Sequence, residues 1–303
     1  GYAFVKGDRI DVAVHAVEMV YIPQGAFYLG SGGTENGRFF QYVDGVDETQ
    51  PYLVASENAI TIGPASGNLY YKDSGQYPGD RTGVLSNDFP KGFNAFYCMK
   101  YEVSQGQYAE FLNKLTNDTV RFPGQTGTNR FTIGGPMGNR TASAPDRACN
   151  WMSWADVTAY ADWAALRPMT ELEFEKACRG PALPVMHEYA WGSTTIIRQT
   201  NYTGAADGSG LETALPTNAN ANYNSGIPAP QGPVRVGIFA QANSSREAAG
   251  ASYWGVMELS GNLFERVVNI GNSAGRAFQG TLGDGVLDGS GNATGNSGWP
   301  AGN

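Results

Sequence analysis

The chain has 303 residues and a formal net charge of −8, so it has room for one large domain or two ordinary ones. Hydrophobic residues make up 41% of it, which is enough for a sizeable core and excludes wholesale disorder. The absence of a basic stripe argues against nucleic acid as a direct ligand. No apolar run approaches the roughly 18 residues that a membrane-spanning helix needs.

Glycine and aromatic residues are unusually prominent, with 41 Gly, 16 Tyr, 14 Phe and 6 Trp. This combination indicates long ordered loops pinned by large side chains rather than stacked helices. We expect most of the tryptophans, Trp151, Trp154, Trp163 and Trp191, to lie in the core, with a sugar-stacking platform as the alternative.

Cysteine and histidine are scarce. Cys98, Cys149 and Cys178 form no Cys-x-x-Cys pair, and we expect three small buried hydrophobes, with one disulfide as the next alternative. His15 and His187 belong to no metal-ligating pattern. The chain therefore offers almost no material for a His-based zinc site or a His-dependent catalytic triad.

The amino-terminal third is predicted to be extended. Residues 10–15 alternate apolar and polar side chains, which indicates a strand. Residues 18–31 read as two short extended pieces broken at the turn Pro23–Gly25. Residues 31–92 lack helical periodicity but hold many aromatics, so we expect a long excursion with a few short strands.

Three helices are predicted further along the chain. The first covers 104–117, where Ser104 and Gln107 form a capping box, with its buried face at Tyr108, Phe111, Leu112 and Leu115. The second covers 153–166 after the cap Ser153, with its buried face at Trp154, Val157, Ala161 and Ala164 beside Tyr160 and Trp163.

The third helix is predicted over 170–180. Thr170 caps it, Glu173 closes a capping box and Gly180 ends it. Its expected buried face is Phe174, Ala177 and Cys178. Its carboxylates, Glu171, Glu173 and Glu175, lie in the first turns, where the helix dipole favours negative charge, and are not read as an acid/base pair.

The remaining segments, 117–148 and 181–250, are loop-like, apart from a strand candidate at 232–239. An acidic loop with Asp284, Asp288 and Asn292 lacks the spacing of an EF-hand and is interpreted as a turn. Long ordered loops usually carry function.

Five blocks in order resemble the formylglycine-generating enzyme (sulfatase-modifying factor) family. They are EMVYIPQGAFYLGS (18–31), YCMKYEVSQGQYAEFLN (97–113), NWMSWADVTAYADWAALRPMTELEFEKACRG (150–180), EYAWG (188–192) and YWGVMELSGNLFERV (253–267). The resemblance implies an α+β, C-type-lectin-like fold, with few helices on a small twisted sheet and most of the chain in ordered loops.

The resemblance also bears on domain organisation. It implies one C-type-lectin-like domain over residues 1–303. Family members continue past the Gly/Asn-rich segment into strands of the Gly-Phe-Arg type, which are not found here. We therefore expect the carboxy-terminal strands and the variable region to lie outside this sequence.

Four segments resemble the variable proteins of diversity-generating retroelements more closely, namely NAFYCMKYEVSQ (94–105), RPMTELEFEKACRG (167–180), GPVRVGIF (232–239) and GVMELSGNLFERVVNIGNSAGRAFQG (255–280). This likeness implies the scaffold of a non-enzymatic display protein on a virion tail or cell surface. Its carboxy-terminal surface would bind an unknown cell-surface protein or glycan. The alternatives are a formylglycine-generating copper oxidase acting on a protein cysteine, or a structural tail or surface module; no copper is expected.

The resemblance further implies a structural calcium site in ELSGNLFERVVNIGN (258–272). Its ligands would be the carboxylates of Glu258 and Glu265 and the carbonyls of Gly261 and Leu263, an oxygen set that suits calcium. Glu258 stands where Asp or Asn is usual. The alternative is that Glu265 pairs with Arg266 or Arg276. Gly261 permits the turn, and Leu263 and Val267 are expected to point inward.

Overall fold

Short strands and a few helices are separated by long loops. The computed structural model describes residues 9, 14–45, 48–71, 79–203, 209–223, 231–294 and 298–300, so most of the strand predicted at 10–15 lies outside the described residues. The strands are β1 Met19–Ile22, β2 Phe27–Leu29, β3 Phe39–Gln41, β4 Tyr52–Val54, β5 Ile60–Ile62, β6 Leu69–Tyr71, β7 Gly83–Leu85, β8 Phe96–Met99, β9 Ile133–Gly134, β10 Thr141–Ala142, β11 Asn201–Thr203 and β12 Thr213–Leu215. The helices are α1 Gln105–Leu112, α2 Trp154–Trp163, α3 Glu171–Arg179 and α4 Ser273–Arg276.

The largest sheet has four strands in the order β3-β6-β5-β7, in which β5 and β6 are parallel. The other strands form antiparallel pairs, β1 with β8, β2 with β4, β9 with β10 and β11 with β12. Edge-to-face contacts join Phe39 to Tyr71 and Phe40 to Tyr70 across β3 and β6. The prediction of short strands tied down by aromatics is therefore confirmed for this part of the chain.

Helix starts are confirmed at each predicted cap. Ser104 Oγ accepts from Gln107 N, and Gln107 Oε1 accepts from Ser104 N, so α1 begins with the expected capping box. α3 begins with the same exchange between Thr170 and Glu173 and ends at Gly180. The helices α1 and α2 end earlier than predicted, at Leu112 and Trp163.

The buried face of α2 differs from the prediction. Ala161 and Tyr160 are buried, whereas Trp154, Val157 and Ala164 are only half-buried. The fully buried Asp162 explains the shift, because its carboxylate accepts hydrogen bonds from the backbone N–H groups of Asp284, Gly285 and Thr294. Asp162 therefore faces the interior, where it holds the loop at 284–294, and the buried face of α2 includes a polar side chain.

The two segments predicted to be loop-like are so in most of their described residues, whereas the strand predicted at 232–239 is absent. Segments 117–148 and 181–250 contain the short pairs β9–β10 and β11–β12. Segment 232–239 is not a strand, since Arg235 makes an isolated bridge to Arg147 and Gly237 has a left-handed φ of 67°. A left-handed residue interrupts an extended segment.

The main core lies between the largest sheet and α3. It includes Leu172 of α3 and, from the carboxy-terminal part of the chain, Val268, Ile270 and Phe278. Val268 also bridges in parallel to Thr170, the cap of α3. The turn before Val268 is therefore fixed to the core at its carboxy-terminal end. No helix of the described residues is both long and apolar enough to cross a membrane.

Candidate metal turn and binding face

Residues 258–263 form a tight turn with three left-handed residues. Glu258, Gly261 and Asn262 have φ values of 56°, 112° and 61°. A Cβ on Gly261 would lie 2.9 Å from the carbonyl oxygen of Asn222, so glycine is needed both for φ and for this close approach. The predicted role of Gly261 in the turn is confirmed.

Asn262 ties the turn to two other segments. Its amide nitrogen donates to Glu102 Oε2 at 2.5 Å, and its amide oxygen accepts from the backbone N–H of Val234 at 2.9 Å. Glu102 Oε1 also accepts from the backbone N–H of Leu263 at 3.0 Å. These bonds hold the turn in one conformation without relying on regular secondary structure.

Three glutamates around the turn, Glu102, Glu258 and Glu265, are close enough to influence one another's pKa values, and we call them the acidic cluster. Burial raises the pKa of Glu258 to about 7 and that of Glu265 to about 8. Burial also raises the pKa of Glu102 well above its usual value, and the charges of Glu258 and Glu265 raise it further. Sequence reasoning missed Glu102, although it stands in the second family block.

The two predicted carboxylate ligands have different surroundings. Both oxygens of Glu258 accept from the backbone N–H of Gly237, at 2.9 and 3.0 Å. The Oε1 atom of Glu265 is buried and has no hydrogen-bond partner in the described structure. Arg276, one of the arginines considered for Glu265, pairs with Asp80 at 2.7 Å.

The oxygen atoms around this turn are of the types that bind a hard cation. The unpartnered oxygen of Glu265 and the carbonyls of Gly261 and Leu263 are the ligand types that calcium prefers. Glu258 would have to turn away from Gly237 to join them. Accordingly, no three His, Cys, Asp or Glu side chains in the described residues are already arranged to hold a metal ion.

The side chains after the turn are oriented differently from the prediction. Val268 and Ile270 are buried, whereas Leu263 and Val267 are only half-buried, and the segment forms no regular strand. Phe264 is 100% exposed. The backbone N–H of Leu263 bonds to Glu102 instead of to a neighbouring strand, and the segment does not show the alternation of buried and exposed side chains that a strand would have.

An apolar cavity of 330 Å³ lies beside Phe264. Four of the seven methionines of the chain contribute to its lining, namely Met99, Met152, Met169 and Met257. Methionine side chains are flexible and polarisable, and such surfaces can adapt to different partners. A second cavity, of 460 Å³, also includes Glu265 and Arg266 in its lining.

The three cysteines are free thiols in the structure. Burial raises the pKa of Cys98 to about 12 and raises those of Cys149 and Cys178 above the usual thiol value. Cys149 and Cys178 are buried as expected, and Cys98 is half-buried. Thiols in such surroundings are poor nucleophiles at neutral pH.

The tryptophans confirm the core prediction only in part. Trp191 is buried, and Trp154 and Trp163 pack half-buried against the core. Trp151 is 43% exposed and has a left-handed φ of 66°, so its assignment to the core was wrong. In the acidic loop, Asp288 accepts from the backbone N–H groups of Ser290 and Asn292, which agrees with a turn.

The few helices, small sheets and long ordered loops define an α+β, C-type-lectin-like protein of the formylglycine-generating enzyme type. Residues 10–275 match the sulfatase-modifying factor enzyme 1-like domain, and the chain belongs to that family. A search of curated proteins gave no match.

Proposed function

We propose that this chain is the scaffold of a non-enzymatic display protein, of the kind found as variable proteins of diversity-generating retroelements. The observation that carries the proposal is Phe264, a fully exposed aromatic on a turn that Glu102 and Asn262 hold rigid. Exposed aromatic anchors on rigid supports are typical of interaction surfaces. A virion tail or cell surface is the location that such a role requires.

The surroundings of Phe264 support a ligand-binding role. The methionine-lined cavity of 330 Å³ adjoins it, and adaptable side chains suit a scaffold that must accept different ligands.

The same turn is the proposed place of a structural calcium ion. Glu258, Gly261, Leu263 and Glu265 would hold it, and Glu102 would orient the turn through Leu263 N. Bound calcium would neutralise the acidic cluster and stiffen the base of the display surface. The ligand itself, a cell-surface protein or glycan, would bind a carboxy-terminal surface next to Phe264.

Sequencing sibling copies of the gene, including any codons that follow Asn303, tests the display role. Clustered substitutions at a few exposed positions, with α1 to α3 unchanged, are expected. A fixed cysteine pair combined with stoichiometric, tight Cu(I) binding by the full-length protein would instead establish the oxidase. Substitutions spread evenly over core and surface would also contradict the display role.

A further inference from the structure

A third cavity, of 500 Å³, shares the lining residues Asn150, Trp151 and Leu263 with the methionine-lined cavity. We call it the Trp151 cavity. Its described lining includes the amide side chains of Asn129, Asn150 and Gln231, the ring of Pro233 and the indole of Trp151, and it contains no charged residue.

Left-handed backbone is concentrated at the rim of this cavity. Nine non-glycine residues of the described chain have positive φ, and four of them, Asn129, Arg130, Trp151 and Asn262, lie in or next to the lining. Such conformations are unfavourable for side chains larger than glycine, and they concentrate where surrounding structure holds a binding site in shape.

Hydrogen bonds between separate loops maintain that shape. Asn150 Nδ2 donates to Asn129 O at 2.9 Å, and Arg147 Nη1 donates to Arg130 O at 2.7 Å. A Cβ on Gly232 would lie 2.2 Å from Asn129 O, so glycine alone allows these two loops to pack together. The rim is therefore preorganised, which reduces the entropy lost on binding.

Arg130, which follows the lining residue Asn129 in the chain, is directed into another interaction. The Arg130 guanidinium lies 4.4 Å from the ring centroid of Tyr202 and pairs with the buried Glu212 at 3.1 Å. The cavity therefore presents an aromatic surface and amides that both donate and accept hydrogen bonds. Aromatic rings contact the C–H faces of sugars, and amides bond their hydroxyl groups.

We propose that the Trp151 cavity binds a neutral carbohydrate. The proposal rests on the ligand-binding function above, but it assigns a site within the scaffold rather than the carboxy-terminal surface. Trp151 would stack on one sugar ring, and Asn129 and Asn150 would bond its hydroxyls. The absence of charge in the described lining favours neutral sugars over sialylated or sulfated ones.

A glycan array probed with the labelled full-length protein tests this proposal. The array should carry neutral hexose and N-acetylhexosamine oligosaccharides beside sialylated and sulfated ones. We expect binding to a neutral group, and Trp151→Ala should weaken it at least about tenfold, as expected for an aromatic anchor. Trp151→Asn gives the same test with a residue that tolerates left-handed φ.

Two further variants make the test specific. Asn129→Asp keeps the shape and adds a charge, and it should weaken binding of the neutral sugar. Tyr97→Ala removes an exposed aromatic from β8, outside the cavity lining, and should leave binding unchanged. Thermal melting of each variant shows whether the fold is intact.

Three outcomes would overturn the proposal. They are no neutral glycan bound, binding unaffected in folded Trp151→Ala and Trp151→Asn proteins, and stronger binding of charged glycans that these variants do not alter. Cell binding that depends on Phe264 would survive each of these outcomes. The display function and the carbohydrate site can therefore fail separately.

Discussion

Glutamates on α3 and around the 258–263 turn are stabilised in different ways. On α3, Glu173 forms two bonds to the Arg167 guanidinium, at 2.5 and 2.8 Å, and also closes the capping box. Beneath the 258–263 turn, Glu258 accepts from a backbone N–H, and Glu265 has an oxygen without a hydrogen-bond partner in the described structure.

The presence or absence of an arginine partner distinguishes carboxylates that stabilise the fold from carboxylates that are available to a ligand. A carboxylate already paired with arginine gains little from another cation, whereas a buried carboxylate without one takes up a proton or a cation. This is why the pKa values of Glu258 and Glu265 are raised by burial. The comparison predicts that perturbing the two regions has different consequences.

The largest expected effect is on stability, from Glu173→Ala. The change removes the capping box of α3 and leaves the half-buried Arg167 without its carboxylate partner. Breaking a buried ion pair typically costs about 3 kcal/mol or more, and the lost cap adds to this. Urea unfolding followed by circular dichroism measures the free energy.

Glu175→Ala is the matched control on the same helix. Its partner Arg179 keeps Glu188 at 2.7 Å and the carbonyl of Gly30 at 3.1 Å, so the loss should be about 1 kcal/mol. If the two variants lost equal free energy, the structural role assigned to Glu173 would be wrong.

The second effect is stabilisation by calcium through the turn. At a concentration 100 times the dissociation constant, calcium would stabilise the fold by about 2.7 kcal/mol. For a chain of this size the melting temperature should rise by about 5 °C. Differential scanning fluorimetry with calcium or excess chelator measures it, and Glu265→Gln should abolish the shift. A melting temperature that is the same in both conditions would remove calcium from this turn.

The third effect is a fall in stability with rising pH in calcium-free buffer. Folded Glu265, with a pKa near 8, keeps its proton after the unfolded chain has lost it near pH 4.5, so the folded state binds more protons over this interval. This shift corresponds to about 3.5 kcal/mol between pH 5 and pH 8, and solvent screening of the half-buried side chain reduces the expected decrease in the free energy of unfolding to about 2 kcal/mol.

Glu265→Gln mimics the protonated acid and should reduce this slope, and the part that remains comes from the raised pKa values of groups such as Glu258. Asp288→Asn is the control that should leave the slope unchanged, since hydrogen bonds from Asn292 lower the pKa of Asp288 and this group is ionised in both states between pH 5 and pH 8. Unfolding curves at a series of pH values test both variants. A slope that persists unchanged in Glu265→Gln would show that Glu265 is not its source.

Local signals made the helices and the family predictable from sequence. The caps Ser104 and Thr170 act within one helical turn, so spacing alone identifies them. The buried face of α2 could not be predicted in this way, because Asp162 is turned inward by hydrogen bonds to a loop more than a hundred residues away. Periodicity has no information about such distant partners.

The candidate site, like the helices, was predictable only where the signal is local in the sequence. The family block at 253–267 identified Glu258, Gly261 and Glu265. The third carboxylate of the site, Glu102, lies in a distant block and accepts a hydrogen bond from the backbone N–H of Leu263. The left-handed φ that exposes Trp151 has no signal in the residue type, since tryptophan rarely adopts it. Tertiary contacts determined both features.

The smallest expected effect on stability, and the sharpest test of the comparison, comes from Phe264→Ala. The ring is fully exposed, and its removal leaves the bonds of Glu102 to Asn262 and Leu263 in place, so the free energy of unfolding should change by less than about 0.5 kcal/mol. Binding of the full-length protein to its target cells, measured by flow cytometry, should nevertheless fall about tenfold. Tyr97→Ala, an exposed aromatic on β8, should leave both quantities unchanged. Unaltered cell binding by Phe264→Ala would mean that the acidic turn supports the fold and not a binding face.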